Sequence, residues 1–337
     1  MGIPKGNPFY DTVFDISAGY DLKGIQAPQM HKWLSEFKNA GPAIRGILET
    51  LPPKFATLKK IDIEPEISNS VTLSTFHGCP GDEIESIVEH LISEHGFHVI
   101  VKMNPTILGH DGVGKILHVD LGYKNIELDP QAFDNDVSFD EAITMMKRLQ
   151  QFAAKHKVNV GAKFTNTLVV KNNQDIFSDK VMYLSCAPLH VLAMKAMHRF
   201  RTEMGDDFHV SFSAGITKHN FVDAVQCNMK PVTTCTDLLK EGGYMRLFDY
   251  LRRLREAMDN AGCASIDEFI ISQSDEKTLA AAGVANSNRI VPTLVENSAY
   301  HQDTNLKTPP KIDSHLTLFD CITCNKCLPV CPNAANF

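Results

Sequence analysis

Short β-rich runs alternate with amphipathic helical patterns along most of the chain, and this alternation limits the fold more than any other feature. Between the runs lie helical patterns, one of which repeats its apolar residues over 84–92 at the spacing of a single helix face. Strands that alternate with helices and end in small or polar residues predict parallel βαβ units. The strand candidates are residues 13–17, 70–76, 98–103, 124–128, 158–164, 208–213 and 231–236.

Two α/β architectures share this alternation, the doubly wound sheet and the (β/α)8 barrel. The fingerprint G-x-G-x-x-G, with which dinucleotide-binding sheets hold phosphate, is absent. We therefore predict a TIM-barrel-like fold. Ser138 with Glu141, and Ser265 with Glu268, have the spacing of capping boxes and predict two helix starts.

The alternation of β-rich runs and helical patterns stops after residue 272. Residues 285–320 are polar, contain proline and show no hydrophobic period, which is typical of a linker or an extended arm. We therefore predict three parts: a barrel over 1–272, a linker or arm over 273–320, and a cysteine-rich segment over 321–337.

Charge and cysteine usage exclude several classes of protein. The formal net charge is −7, which gives no sign of a nucleic-acid or anionic-membrane partner. No apolar run approaches the ~18–20 residues of a membrane span, and the N-terminus has no apolar signal region. The nine cysteines are an odd total, which argues against a secreted disulfide framework. These features predict a cytoplasmic protein.

Four cysteines near the C-terminus follow the C-x2-C-x2-C-x3-C-P spacing of bacterial ferredoxins. Cys321, Cys324, Cys327 and Cys331 are therefore predicted to bind a [4Fe–4S] cluster. The alternative is a zinc site, although zinc sites usually use two separated pairs. In two-cluster ferredoxins the fourth cysteine of the run binds the other cluster. Only six residues follow Cys331 and none is cysteine, so we expect a partner domain or subunit to supply the missing ligands.

Polar residues stand where several predicted strands end, which is where barrels carry their active sites. A lysine late in a strand is either solvated or faces a polar ligand, and Lys102 and Lys163 both stand there. Ser213-Ala214-Gly215 precedes a helix and offers N–H groups to a phosphate. Cys79 and His77 are candidates for catalysis. The alternative for Cys79 is a buried thiol that only packs in the core, and the alternative for His77 is a structural role. The candidates are Asp21, His77, Gly78, Cys79, Lys102, Asn104, Lys163, Thr165, Asn166, Thr167, Ser213, Ala214, Gly215, Cys235 and Thr236.

Several segments resemble the flavin barrel of the dihydroorotate and dihydropyrimidine dehydrogenases. Residues 211–258 resemble its final part, in which a Gly-Gly-Ile turn and a Cys-Ser or Thr-containing strand end hold the phosphate of flavin mononucleotide (FMN). The matching positions here are Ala214-Gly215-Ile216 and Cys235-Thr236. FTNTL (164–168) resembles the substrate segment of that family, and LSCAPLHVLAMKAM (184–197) resembles one of its helix starts. VKMNP (101–105) resembles the strand whose lysine contacts the flavin, and HGCPGDEIESI (77–87) resembles the loop that carries the general acid.

The chain also resembles the selenate reductase iron–sulfur subunit family, whose members are large relatives of dihydropyrimidine dehydrogenase. The resemblance covers about 11–272 for the barrel and 321–334 for the cluster. It implies an iron–sulfur flavo-oxidoreductase that exchanges electrons between the cluster and an FMN that acts on a small heterocyclic substrate. Lys102 would lie by the flavin, and Cys79 would be the general acid. The substrate residues would be Asp21, Asn104, Asn166 and Thr167.

The departures from the family pattern make further predictions. The first two barrel strands and the flavin and NADPH modules have no counterpart, so the chain is expected to be a fragment or a short subunit. One of the seven strand candidates must then leave the barrel, and we predict that it is 124–128. Alanine replaces the first glycine of the phosphate turn at Ala214, and in another register Lys163 is the flavin lysine. The alternative function is a non-catalytic electron-transfer or scaffold subunit with a degenerate barrel that does not bind flavin.

Overall fold

The fold is known from a computed structural model, which describes residues 14–60, 62–74, 77–173, 178–205 and 207–305. The cysteine run at 321–331 and the other residues after 305 lie outside these ranges. The predicted cluster ligands therefore have no structural description here, and the [4Fe–4S] site stays a prediction.

Seven strands and thirteen α-helices occupy the described residues. The strands are β1 Ile16–Ala18, β2 Ser70–Ser74, β3 His98–Met103, β4 Val160–Phe164, β5 Leu168–Lys171, β6 Val181–Leu184 and β7 Val210–Phe212. The helices are α1 Leu22–Ile25, α2 Pro28–Lys38, α3 Gly41–Thr50, α4 Gly81–His95, α5 His110–Gly114, α6 Pro130–Asn135, α7 Phe139–Lys155, α8 Cys186–Met204, α9 Phe221–Gln226, α10 Leu247–Asn260, α11 Ile266–Ser272, α12 Leu279–Thr293 and α13 Gln302–Asn305.

Five strands form one parallel sheet in the order β1-β2-β3-β4-β7. Val232 extends this order through a single parallel bridge to Phe212, so the strand predicted over 231–236 is reduced to one bridge. The order follows the chain, as it does in a (β/α)8 barrel. The expected excursion at 124–128 is confirmed, because Leu128 bridges antiparallel to Val170 rather than joining this sheet.

Sequence analysis missed the antiparallel hairpin β5–β6. β5 begins only four residues after β4 ends, and its residues Leu168, Val169 and Val170 are buried. A continuous apolar run of three residues shows no alternation of apolar and polar residues. The sequence pattern therefore does not distinguish β5 from the loop after β4. The hairpin lies at the carboxyl end of β4, where the substrate residues were predicted.

One face of the parallel sheet is apolar and buried under helices. The alternate residues of β2, β3, β4 and β7 that point to this face belong to a single core cluster, which also includes the inner sides of α4, α7 and α8. Because side chains alternate across a strand, every second residue must be apolar for such packing. Those residues are Val71, Leu73, Val99, Val101, Met103, Val160, Ala162, Phe164, Val210 and Phe212.

The opposite face of the sheet is largely polar. Ser74, Lys102, Lys163 and Ser211 stand in one row across β2, β3, β4 and β7, since each is the register partner of the next. Nearer the start of the strands, the Asp15 carboxylate accepts hydrogen bonds from the Ser70 and Thr72 hydroxyls at 2.9 and 2.7 Å. In a barrel this face is the interior, and the structure therefore lines that interior with groups that can bind a polar ligand.

The helix signals read from the sequence are confirmed. The stripe over 84–92 is the buried face of α4, which ends at Gly96 in the left-handed conformation. Both capping boxes are present, with Ser138 and Glu141 opening α7, and Ser265 and Glu268 opening α11. Reciprocal bonds of this kind satisfy N–H groups that a helix end otherwise leaves unpaired.

The linker predicted over 273–320 is wrong for its first part. Residues 279–293 form α12, which packs on α8 and α11. Its buried residue Asn286 donates to the carbonyl oxygens of Gln226 and Ile270 at 3.0 and 2.9 Å. A helix whose buried side includes hydrogen-bonded polar residues shows little hydrophobic period in its sequence, which is why it was mistaken for an arm.

No helix in the described ranges combines the length and the apolar character that crossing a membrane requires.

Candidate functional site

Lys102, which is half-buried, and Lys163, which is buried, form a pair of cations at the carboxyl ends of β3 and β4. They are direct register partners, so both ammonium groups project from the same face of the sheet. Lys163 is only 8 % exposed. Neither lysine makes a hydrogen bond or an ion pair to any residue that the structure describes. A buried, unpaired charge is costly, and two together favour a bound anion or a ligand oxygen.

Burial lowers the pKa of both lysines. For Lys102 the repulsion from Lys163 lowers it further, while Cys235 nearby acts in the opposite direction. For Lys163 the attraction of Asp15 opposes the effect of burial. Desolvation of an ammonium group is relieved when a negatively charged ligand binds next to it, so these shifts indicate a site for such a ligand.

In the turn after β7, residues 214–216, each backbone carbonyl oxygen lies within hydrogen-bond distance of a side chain. The Ala214 carbonyl lies 2.8 Å from Nδ1 of His190, and the Gly215 carbonyl accepts from Nδ2 of Asn220 at 3.0 Å. The next carbonyl, at Ile216, accepts from Tyr250 and Thr234 hydroxyls at 3.2 and 3.1 Å. The N–H groups of residues 214–216 donate to no described residue, which leaves them available for an anion.

Gly215 is the one position in this turn that must be glycine. Its φ is +53°, and a Cβ there would overlap the Cys186 carbonyl oxygen. Ala214, where the sequence departs from the Gly-Gly pattern, is buried and belongs to the core cluster.

The two predicted substrate amides meet above the lysine pair. Nδ2 of Asn166 donates to Oδ1 of Asn104 at 2.8 Å, and the Asn166 backbone N–H donates to the Met103 carbonyl. Both side chains are half-buried. This bond fixes the orientation of both amides and joins the ends of β3 and β4. Thr167 is half-buried beside them, at the start of the hairpin.

Asp136 is the centre of a network that sequence reasoning missed. Its buried carboxylate accepts from the Gly78 N–H at 2.6 Å and from the Thr106 hydroxyl at 2.7 Å, and it lies 3.3 Å from Nδ1 of His77. These bonds join the loops after β2 and β3 to the start of α7, and they favour the ionised form, so the pKa of Asp136 is lowered although burial opposes this. A lone aspartate between two helices carries no pattern that would have marked it.

Cys79 lies one residue beyond this network and is buried, with 2 % of its surface exposed. Burial, followed by the nearby carboxylates of Glu83, Asp82, Asp136 and Asp21, raises the pKa of its thiol to about 12. The thiol is therefore protonated at neutral pH. It could donate a proton, but it is not a ready nucleophile.

Asp21 serves the local structure. It is the N-cap of α1, and its carboxylate accepts from the Gly24 N–H at 2.7 Å. Its side chain is on the surface. The N-cap bond uses only one lone pair of the carboxylate, so Asp21 can still accept a hydrogen bond from a ligand. Its contact with a substrate therefore stays a prediction.

Cys235 and Thr236 lie exposed at the start of a short 3-10 helix, Thr236–Leu239. The buried Asp237 behind them accepts from Arg246 at 2.8 and 3.1 Å and from the Tyr250 hydroxyl at 2.8 Å. Since the Tyr250 hydroxyl oxygen also lies 3.2 Å from the Ile216 carbonyl oxygen, this network holds the Cys235 loop beside the turn after β7. The two halves of the predicted phosphate site are thus neighbours, and Asp237 and Tyr250 were not anticipated.

Within the described ranges, no three histidine, cysteine, aspartate or glutamate side chains are arranged to hold a metal ion. The described candidates fall instead into one group of lysines, amides and backbone N–H donors. This group lies at the carboxyl end of a parallel sheet whose strands follow one another in barrel order, which defines the class of protein as an α/β barrel with a strand-end ligand site.

The particular family follows from comparison with known proteins. Residues 3–286 match the family model described as the N-terminal TIM-barrel domain of the oxidoreductase YgfK. The chain belongs to this family. It is 32% identical over 274 residues to the YgfK proteins of Escherichia coli strain K12 and of Escherichia coli O157:H7. The match covers 76% of this chain and 26% of each relative, so the chain spans about a quarter of their length.

Solved structures with some likeness include dihydroorotate dehydrogenase (DHODH) from Eimeria tenella, ligand-free and in complex with ferulenol. Each match covers 68% of this chain with a TM-score of 0.37. For the ligand-free structure the match covers 72% of the DHODH chain at 11% sequence identity, and for the ferulenol complex it covers 69% at 12%. The matched family model is that of an oxidoreductase barrel, as expected, whereas membership of the selenate reductase subunits stays a hypothesis.

Proposed function

We propose that this barrel is the flavin-binding part of an oxidoreductase and that it holds FMN at the carboxyl ends of β3, β4 and β7. The observation that carries the proposal is the register pair of the half-buried Lys102 and the buried Lys163, neither of which has a carboxylate partner among the described residues. FMN brings a phosphate and a ring system rich in oxygen and nitrogen, and both complement cations and backbone N–H donors.

The residues present fit this cofactor in two places. The unpaired N–H groups of residues 214–216, with Cys235 and Thr236 beside them, would hold the phosphate. Lys102 and Lys163 would face the ring. When bound, FMN supplies the exchange of a hydride with the substrate.

The chain's own groups would orient the substrate and move a proton. The hydrogen-bonded Asn104–Asn166 amide pair would place the Asn104 amide nitrogen at a fixed position towards the substrate, with Thr167 next to the pair. The Cys79 thiol would keep its proton at Sγ until the substrate takes it, as its raised pKa requires. We propose a small heterocyclic or carbonyl-conjugated molecule as the substrate, as in dihydropyrimidine dehydrogenase.

The cysteines at 321, 324, 327 and 331 would bind the cluster that passes electrons to or from the flavin. A partner domain or subunit would provide the next electron carrier. Anaerobic purification of the full chain, followed by iron, sulfide and flavin analysis, tests both cofactors separately. About four irons with acid-labile sulfide support the cluster, and zinc in their place contradicts it.

Lysine substitution tests the flavin site. In a titration of the full-length apoprotein with FMN, followed by quenching of flavin fluorescence, we expect Lys102→Met and Lys163→Met each to weaken binding about 10–100-fold. The reason is the loss of a charge-assisted contact of ~1.5–3 kcal/mol. Lys171→Met is the matched control, because Lys171 is an exposed strand lysine paired with Glu127. No binding by the wild type, or equal affinity in all variants, contradicts the proposal.

The burial of Cys79 favours a second candidate function, a barrel that binds flavin or docks partners without catalysing a reaction. A thiol with 2 % exposure has little access to a substrate. Replacement of Cys79 by alanine separates the two, since a catalytic acid is needed for turnover and a packed thiol is not. Unchanged turnover in a protein that still binds FMN supports the second candidate.

A further inference from the structure

Three histidines pack together between helices α2 and α4. The ring centroid of His95, the last residue of α4, lies 4.7 Å from that of His31 on α2 and 5.8 Å from that of His90. His95 is buried, with 8 % of its surface exposed. We call His31, His90 and His95 the histidine cluster. Helix α2 thus covers a buried imidazole with an imidazole of its own.

The histidine cluster lacks the hydrogen bonds that buried polar groups normally make. Nε2 of His90 and Nε2 of His95 are buried and have no hydrogen-bond partner among the described residues. A neutral imidazole has one N–H donor to satisfy, whereas an imidazolium has two donors and a full positive charge. Burying such a charge without a partner costs far more than burying the neutral ring. The packed arrangement therefore favours neutral histidines.

The charges around His95 act in the same direction. Burial, followed by the repulsion from His31 and His90, lowers the pKa of the His95 imidazole from 6.5 to about 4, and the Glu94 carboxylate opposes this. Among the described residues, Glu94 is the one carboxylate that acts on His95. It does not outweigh the other effects, so the packed His95 stays neutral at pH values at which a solvated imidazole is charged.

The other charged groups near α2 and α4 are already paired. At the far end of α2, the Lys38 ammonium lies over the Phe97 ring at 5.4 Å and pairs with Glu66. The remaining neighbours of α4 make their polar contacts elsewhere: Glu83 with the Leu22 N–H of α1, Glu85 with Arg148 of α7, and Nδ1 of His98 in β3 with the Asn159 N–H. None of these contacts supplies a counter-ion to the histidine cluster.

Few apolar side chains hold α2 in place. Leu34 is the one residue of α2 that is buried, and Met30 and Phe37 are partly buried against the core. The next helix, α3, has no buried residue. An element with so little buried apolar surface can open locally while the rest of the fold stays intact. Because α2 covers His95, such an opening exposes His95 to water.

We propose that the histidine cluster is a pH-sensitive latch, which holds α2 on α4 while its rings are neutral and releases α2 as the pH falls. Imidazoles in water titrate near pH 6.5. Below this pH the released state binds a proton that the packed state excludes, so acidification shifts the equilibrium towards release.

The latch is linked to one edge of the candidate site. Helix α2 begins three residues after α1 ends, and the N-cap of α1 is Asp21. Release of α2 therefore loosens the segment that holds Asp21 at the carboxyl end of β1. The latch goes beyond the proposed function and does not depend on flavin, so FMN binding and α2 release are measured separately and can fail separately.

Hydrogen exchange in the full chain tests the latch. Protection factors of the α2 amides are measured at pH 7, 6 and 5 and corrected for the intrinsic pH dependence of exchange. The lowered pKa of His95 makes opening about 10–30-fold more frequent at pH 5 than at pH 7. We expect the protection of α2 to fall by this factor, and the amides of α7 to stay more protected than those of α2 at each pH. Constant protection of α2, or equal protection of α2 and α7 at pH 5, overturns the proposal.

Two variants show whether the histidines are the cause. His95→Phe keeps an aromatic ring and removes the titrating group, whereas His31→Glu changes only an exposed position and gives His95 a counter-ion. In both, the protection of α2 should change by less than about threefold between pH 7 and 5, because the packed state no longer excludes the proton.

His156→Gln is the matched control. His156 is exposed at the end of α7 and stacks on Phe152, so this variant should lose α2 protection on acidification as the wild type does. His31→Glu leaves the buried side of α4 unchanged, so it decides the outcome if His95→Phe does not fold. A fall in His31→Glu as large as in the wild type overturns the proposal, and so does a flat profile in His156→Gln.

Discussion

At the scale of single residues, Asp136 is the side chain on which the candidate site most depends. Three groups from two loops converge on its carboxylate, which is almost fully buried. Removing one partner from a buried network costs more than the bond itself contributes, because the remaining polar groups are left without water or protein partners. Asp136 therefore stabilises the loop that carries Cys79.

We expect Asp136→Ala to lower the free energy of unfolding by about 2–4 kcal/mol, since Gly78, Thr106 and His77 lose their acceptor. Thr106→Val, which removes one of these bonds, should cost about 1 kcal/mol. Urea unfolding measures both. In the folded Asp136→Ala protein a thiol reagent should label Cys79 faster, whereas Cys227, which is fully buried elsewhere, serves as the internal reference. An unchanged ratio of the two labelling rates would show that Asp136 does not hold this loop.

At the scale of elements, the turn after β7 is where backbone conformation and binding coincide. Its carbonyls at 214–216 are engaged by side chains of α8, α10 and the neighbouring loops, whereas its N–H groups donate to no described residue. Such a turn depends on the close approach of the α8 N-terminus, where Cys186 faces Gly215. The close packing of α8 against this turn therefore requires glycine at position 215.

Gly215→Ala should lower the free energy of unfolding by about 3 kcal/mol or more and weaken FMN binding. The left-handed conformation alone costs about 1–2 kcal/mol for a residue with a side chain, and the overlap with Cys186 adds to it. Gly96→Ala is the matched control: its φ is +66°, and a Cβ there meets nothing within 4 Å. It should show the conformational cost only. Equal thermal shifts for the two variants would mean that the turn can move away from α8.

At the scale of the whole molecule, buried histidines make stability depend on pH. Burial, helped by His31 and His90 and opposed by Glu94, lowers the pKa of His95 from 6.5 to about 4. Burial lowers that of His190 to about 4 as well, against the hydrogen bond to Ala214. In the unfolded chain both titrate near 6.5, so between about pH 6.5 and 4 the unfolded state binds more protons than the folded state.

Stability is therefore expected to fall as the pH drops through this window, by about 1–2 kcal/mol for each histidine between pH 7 and 5. Urea unfolding at a series of pH values measures this dependence. His95→Gln should reduce the slope and leave the contribution of His190 in place. A stability that stays constant between pH 7 and 5 would contradict the assignment of neutral, buried imidazoles.

The fold was accessible from the sequence wherever one face of an element is buried. The stripe of α4, the capping boxes of α7 and α11 and the strands β1 to β4 all carry local periods or end signals that survive without neighbours. The hairpin β5–β6 and helix α12 carry none, because β5 opens with the continuous apolar run at 168–170 and α12 buries hydrogen-bonded polar residues. Local patterns report one-sided burial and cannot report these two cases.

The candidate site divides in the same way. The sequence by itself determined which residue types end the strands: Lys102, Lys163, Asn104, Asn166 and Gly215 were all selected from their positions. Only the tertiary structure decided that the two lysines share a register and have no ion-pair partner in the part of the chain that the structure describes, that Cys79 is buried, and that Asp136 and Asp237 hold the loops. Position along a strand is a local property, whereas register, burial and charge pairing are set between segments that lie tens of residues apart in the chain.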